Sequence, residues 1–251
     1  MESKAVRCTL ATIAIAIAVL GTAAAQRGGR GMPAAPVDPH DLSGYWSLSF
    51  DSRKVPPANL APGVTKAMID AHAKADAHAI RWCNLLGVPF SMDPGVPLDI
   101  RIGTREMIID ASTNSEPRHV YFRDKHVSSD IFDPSTIGDS IGHWEGNTLV
   151  VDTIGFSGKR GLTTIPGGGF RTDNSHLVER YQLLENGAVL SVTFTWTDPK
   201  VFRTPHTYEF RYYRLPKLYE PLGTLPCNPY DDVRTKFLED TRAGTPAVKT
   251  Q

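Results

Sequence analysis

Residues 176–196 read HLVERYQLLENGAVLSVTFTW, and no other stretch constrains the fold as strongly. Two runs of alternating apolar and polar residues flank Asn186-Gly187, the residue pair most favourable to a type I′ hairpin turn. Counting back from that turn sets Leu183 opposite Leu190, Tyr181 opposite Val192, Glu179 opposite Phe194 and Leu177 opposite Trp196. Cross-strand partners share a sheet face, so these residues form one surface on which only Glu179 is ionisable. A chain that commits such a face to a core is building a sheet.

A second hairpin is written into IGHWEGNTLVVDTIGFSG, residues 141–158. With Gly146-Asn147 as a type II′ turn, the register pairs Glu145 with Thr148, Trp144 with Leu149, His143 with Val150, Gly142 with Val151 and Ile141 with Asp152. Trp144, Leu149 and Val151 then face the core, while His143, Glu145, Val150 and Asp152 face away. Alternation recurs in DLSGYWSLSFD, where Trp46, Leu48 and Phe50 share a face, and in PLDIRIG, REMIIDA and RHVYFRD. HTYEFRYY places His206, Tyr208, Phe210 and Tyr212 together. One substantial helix is predicted over residues 65–86, capped by Thr65 and ended by Gly87 and Pro89. Strands and helices do not alternate, which disfavours a parallel α/β sheet. Residues 157–175, with PGGGF, read as a long loop over a cavity mouth. DDVRTKFLED reads as a short C-terminal helix through Val233, Phe237 and Leu238.

Glu179 is the chemically suggestive residue. A carboxylate on an apolar face must find a cation and hydrogen bonds, or accept a raised pKa, which is how proteins obtain an acid or base near neutral pH. Arg118 shares its alternation with Val120 and Phe122 and so also points inward. Two readings stand: a buried ion pair with no further role, or an acid/base (Glu179) with its orienter (Arg118). Asp152 and His176 are further acid/base candidates. Tyr208, Phe210, Tyr212, Tyr181 and Trp196 are aromatic candidates for lining a ligand cavity, and equally for filling a core. His72 and Asp76, one helical turn apart, suit either a ligand pair or surface pairing. His143, Glu145 and His176 make up a weak metal pattern. GxGxxG, Walker A, H-E-x-x-H and G-x-S-x-G patterns are absent from the sequence, and no cofactor is expected.

Residues 1–25 have a basic start at Lys4 and Arg7, an apolar run and a small-residue end, the pattern of a cleaved export signal. Residues 26–40 (QRGGRGMPAAPVDPH) read as a flexible lead, and residues 41–251 as one domain. That predicts a periplasmic or secreted protein without an integral membrane segment. Two cysteines, Cys83 and Cys227, remain after cleavage; an oxidising compartment favours one disulfide, with free thiols or a reactive pair as alternatives. Such a bridge would contribute roughly 5 kcal/mol through loop entropy. The chain carries 27 basic and 27 acidic residues. That balance disfavours nucleic acid as a partner.

The stretch SGYWSLSF, with Gly44 and Trp46, resembles the Gly-x-Trp first strand of lipocalin-like barrels, although the long helix so soon afterwards departs from them. DSIGHWEGNTLVVDTIGF, SHLVERYQ and TDPKVFRTPHTYEF are similar to an uncharacterised family of secreted bacterial proteins, over about residues 41–230. Cys83 and Cys227 recur in that family, and arginine often replaces the histidine of the first motif. The expectation is a mainly β, antiparallel, lipocalin-like barrel with one helix. Its expected function is to capture a small, largely apolar or aromatic molecule in the barrel, with possible non-redox chemistry of the hydratase, isomerase, cyclase or lyase type. A non-catalytic periplasmic binding or envelope protein is the alternative, and a metal-dependent enzyme the third reading.

Overall fold

Both hairpins form in the expected register, residue for residue. Glu145↔Thr148 through Ile141↔Asp152 pair in the first, and Leu183↔Leu190 through Leu177↔Trp196 in the second. The turns differ in kind. Gly146 alone carries a positive φ (59°) in the first, as type II′ requires, whereas the second turn is left-handed over Glu185, Asn186 and Gly187 (φ 49°, 52° and 83°). The wider turn keeps the register because it adds one residue on each side of Asn186-Gly187.

This computed structural model describes residues 37–93, 96–111, 116–128 and 130–216. The expected export signal, most of the expected lead, Cys227 and the segment DDVRTKFLED, expected as a short helix, lie outside the described residues. Nine strands close a barrel in sequence order: β1 (Gly44–Leu48), β2 (Leu98–Ile102), β3 (Glu106–Asp110), β4 (Arg118–Tyr121), β5 (Asp139–Glu145), β6 (Thr148–Ile154), β7 (His176–Leu184), β8 (Val189–Thr197) and β9 (His206–Arg214). Phe50 falls just beyond β1 in a 3-10 turn and is exposed, so the first strand is shorter than its alternation suggests.

The sheet is mixed, which corrects the antiparallel expectation. Each antiparallel step reverses strand direction, so a ring with an odd number of sequential strands cannot be antiparallel throughout. The parallel pair here is β4–β5, through Val120↔Ser140 and Tyr121↔Ile141. A parallel pair needs a long crossover, and residues 122–138 supply it. Nine strands with a parallel pair also depart from the eight-stranded up-and-down lipocalin barrel.

Inward residues fill the barrel. Trp46, Leu98, Ile100, Val120, Leu149, Val151, Tyr181, Val192, Phe194, Trp196, Phe210 and Tyr212 are each at most 1% exposed. The first and last strands are tied by β1–β9 pairing and by Arg214, whose guanidinium stacks 4.2 Å from the Trp46 ring centroid. Gly44 suits that position, because its φ of +142° is one that residues with a Cβ rarely adopt.

The helix α1 (Lys66–Arg81) is capped by Thr65, whose hydroxyl accepts from Met68 N, and it stops short of residue 86 where Cys83 turns left-handed (φ 60°). Surface pairing of His72 with Asp76 is overturned. Asp76 is fully buried and accepts hydrogen bonds from the backbone N–H and hydroxyl of both Thr163 and Thr164, while His72 Nδ1 meets Thr163 Oγ1 at 2.8 Å. The 157–175 loop is thereby fastened to α1, with Phe170 stacked on His72 at 4.0 Å. Among the described residues no helix is long and apolar enough to cross a membrane.

Candidate functional site

Two polar centres occupy opposite faces of the same wall, and the two-residue period of β6 and β7 creates both. Thr153, Leu177, Glu179 and Tyr181 point inward; Asp152 and His176 point outward.

The inner centre joins Arg118 on β4 to Glu179 on β7, across Ser140 on β5 and Thr153 on β6. The Arg118 guanidinium donates from Nη1 to Glu179 Oε1 (2.9 Å), from Nη2 to Glu179 Oε2 and Thr153 Oγ1 (2.8 Å), and from Nε to Ser140 Oγ (3.1 Å). Tyr181 donates its hydroxyl to Glu179 Oε1 at 2.9 Å. Arg118 is 1% exposed and Glu179 0%. Burial works against the guanidinium's charge, but the carboxylate outweighs it and holds Arg118 above its usual pKa. Burial, then Glu179, drives the Tyr181 phenol well above its ordinary value. Three donors converge on one carboxylate, so its oxygens are engaged.

The aromatic candidates are all buried on the inward face, and Tyr208 and Phe210 pack on each other and on Phe194. Phe194 stacks on Tyr208 at 5.0 Å, Tyr208 lies 5.1 Å from Phe210, and Trp196 Nε1 donates to Tyr208 Oη at 3.2 Å. Tyr212 donates to the Met92 carbonyl at 2.6 Å. A carboxyl near neutrality does exist, but it is Asp93 and not one that the alternation pointed to. Burial pushes Asp93 up to about 7, with the paired Arg53 pulling it back.

The outer centre is a relay of five side chains. His176 Nε2 lies 2.8 Å from Asp152 Oδ2, and Asp152 Oδ1 lies 2.8 Å from His126 Nε2. His126 Nδ1 lies 2.9 Å from Asp139 Oδ2, which also accepts from Val127 N at 2.9 Å, and Arg123 pairs with Asp139 Oδ1. Both nitrogens of His126 face carboxylate oxygens. Burial pushes the Asp152 carboxyl up, yet hydrogen bonds from His176 and His126 prevail and hold it below its usual range. The Asp152 hydrogen bond holds His176 above its usual value, against burial. His176 is half-exposed beside a cavity of about 500 Å³ lined by Val127, Phe132, Pro134, Asp139, Ile154, Gly155 and residues 173–176.

The structure thus unites Arg118 with Glu179, and Asp152 with His176, while a single sheet layer separates the two pairs. His126 and Arg123 were missed from sequence, since only the crossover brings them to the wall, and Asp139 was missed because it starts β5 beyond the part of the hairpin whose pairing was counted. His143 is exposed on the outer face, 3.3 Å from Glu145, and Glu145 also accepts from Arg180. Among the described residues no group of three or more His, Cys, Asp or Glu side chains is arranged to hold a metal ion. No family model matches the chain, and no curated protein or solved structure is significantly similar to it.

Proposed function

We propose that this is an exported protein that carries out cofactor-independent acid/base chemistry of the hydratase, isomerase, cyclase or lyase type on a small, largely apolar molecule. Its seat is the outer wall at His176 rather than the lumen. One observation carries the reading: a half-exposed imidazole, oriented by a carboxylate, borders a cavity of about 500 Å³ whose lining mixes Val127, Phe132, Pro134 and Ile154 with Asp139, Asp173, Asn174 and Ser175. With Nε2–H donated to Asp152, the lone pair of His176 lies on Nδ1, the nitrogen left to act as base. Asp152 would stabilise the imidazolium that forms, and His126 with Asp139 would hold Asp152 in place. Val127, Phe132, Pro134 and Ile154 supply the apolar contact that a small-molecule site needs.

The experiment is to incubate the protein with a panel of small carbonyl and hydroxyl compounds, following consumption by NMR, and then to repeat it with His176→Ala and Asp152→Asn. A loss of roughly 10² to 10⁴ in turnover is expected for His176→Ala. Unchanged turnover in both folded variants would remove this seat.

A non-catalytic binding or envelope protein is the second reading, favoured by the saturated Arg118–Glu179 pair and the packed aromatic interior. In that reading Glu179 serves stability alone. The Cys83–Cys227 disulfide belongs to the same proposal of export. Mass shift on alkylation of exported protein, with and without reductant, tests it; two freely alkylated thiols would remove the bridge.

A further inference from the structure

We propose that the groove between α1 and the 158–163 loop binds a small organic anion with an apolar body, at a site separate from the outer-wall cavity. The groove encloses about 930 Å³ and is bordered by His72, Ala75, His78 and Ala79 from the helix and by Lys159 and Arg160 from the loop. Among the described residues its lining carries bases, alanines and neutral polar side chains but no carboxylate. Asp76, the acid on that part of α1, turns its oxygens to the backbone of Thr163 and Thr164 instead.

Exposed lysines and arginines are usually solvated and mean little. This loop differs because other parts of the chain hold it at several points. Arg171, fully buried, donates from Nη2 to the Arg160 carbonyl at 2.7 Å and from Nη1 to the carbonyls of Val88 (2.6 Å) and Thr136 (2.5 Å). Asp173 accepts from Gly158 N at 2.6 Å, and Leu162 N donates to the Leu86 carbonyl at 2.9 Å. Gly161, at φ +68°, lies so close that a Cβ would meet the Leu85 carbonyl at 2.7 Å. The backbone that carries Lys159 and Arg160 is therefore fixed before any ligand arrives, which lowers the ordering cost of binding. Arg171 adds a third cation behind the loop. Asp76, Asp173 and Glu116, whose Oε2 lies 3.5 Å from the Thr136 hydroxyl, offset charge behind the groove, while Lys159 and Arg160 border the groove itself.

Alanines at 75 and 79 leave room for an apolar body, and the cations fix the position of a carboxylate, sulfonate or phosphate head. The probe is 8-anilinonaphthalene-1-sulfonate, titrated into the full mature chain by fluorescence, with N-phenyl-1-naphthylamine as its uncharged counterpart. The sulfonate should bind measurably tighter than the amine, and its binding should weaken with added salt. Lys159→Gln/Arg160→Gln should weaken the sulfonate by about tenfold and leave the amine unchanged. Ala75→Phe should block both, and His176→Ala should block neither, which separates this site from the outer wall. Equal binding of the two probes, no effect of the double substitution, or no binding at all would each overturn the proposal. The double substitution keeps the test decisive even if Ala75→Phe fails to fold, because residues 159 and 160 are exposed.

Discussion

Replacing Glu179 by glutamine changes one atom's chemistry at the most buried polar point of the barrel. Nη1, Nη2 and the Tyr181 hydroxyl converge on two carboxylate oxygens. An amide offers a single oxygen and turns an NH2 toward donors, so at least one donor loses its acceptor. The guanidinium, 1% exposed, also loses its counter-charge. Breaking a buried pair from one side costs about 3 to 5 kcal/mol. At about 2 to 4 °C per kcal/mol for a domain of this size, the melting temperature should fall by roughly 6 to 20 °C.

The companion variant Arg118→Met/Glu179→Leu removes both charges and should recover most of that loss. Ser140 Oγ and Thr153 Oγ1, which served Arg118, stand 3.0 Å apart and keep each other as partners. The Tyr181 hydroxyl is the group left short, with only the Met92 sulfur at 4.0 Å, at a cost of about 1 to 3 kcal/mol. Adding Tyr181→Phe should restore that remainder. Thermal and urea unfolding by circular dichroism measure all three variants. A Glu179→Gln protein as stable as the parent would refute the structural account and return Glu179 to the list of acid/base candidates.

Three further outcomes follow from the geometry. The raised His176 adds stability that is complete below about pH 6.5 and lost as pH rises through its folded value. The depressed Asp152 adds stability that is complete above about pH 4 and lost as pH falls through its folded value. The relay's contribution should therefore peak between those limits, and His176→Ala should flatten the alkaline side of urea midpoints plotted against pH. Trp144→Ala should cost about 2 kcal/mol, less than a fully buried aromatic, because the ring is only partly covered and leans on His40 at 4.2 Å; exposed His143→Ala should stay within about 0.5 kcal/mol, and denaturant midpoints compare them. Asp76→Asn should lose about 1 to 3 kcal/mol and speed amide exchange across residues 158–164, since four hydrogen bonds end on that carboxylate.

Both hairpins were legible because alternation and turn residues act locally, and a turn of different type still preserved the pairing. The inward direction of Arg118, Glu179 and the five aromatics followed from the same period. The crossover was not legible. The pairing of Val120 with Ser140 leaves no local trace in residues 122–138, and the relay depends on it. Asp76 was misread for a related reason: helical spacing points to His72, but the carboxylate's partners lie on a loop far along the chain. Asp93 stands among prolines and apolar residues in VPFSMDPGVPL, where neither helical nor strand period applies, so its burial beside Arg53 had no sequence signature.

The inner pair and the outer relay are coupled through register. A one-residue slip of β7 would turn Leu177, Tyr181 and Leu183 outward, and the hydrophobic pattern alone forbids it. A two-residue slip keeps every apolar residue facing in, so the pattern tolerates it. It would carry Glu179 about 6.7 Å along the strand, beyond reach of Arg118, and carry His176 equally far from Asp152. The buried pair penalises the slip that the core does not, a specificity role distinct from stability. The variant Arg118→Met/Glu179→Leu separates the two roles. Its melting temperature should lie above that of Glu179→Gln and below the parent's by the cost of the unpaired Tyr181 hydroxyl, yet the ring resonances of His126 and His176 should split into a major and a minor set by NMR. A single sharp set, unchanged from the parent, would mean that the two turns fix the register unaided and that the buried ion pair has no part in holding the relay together.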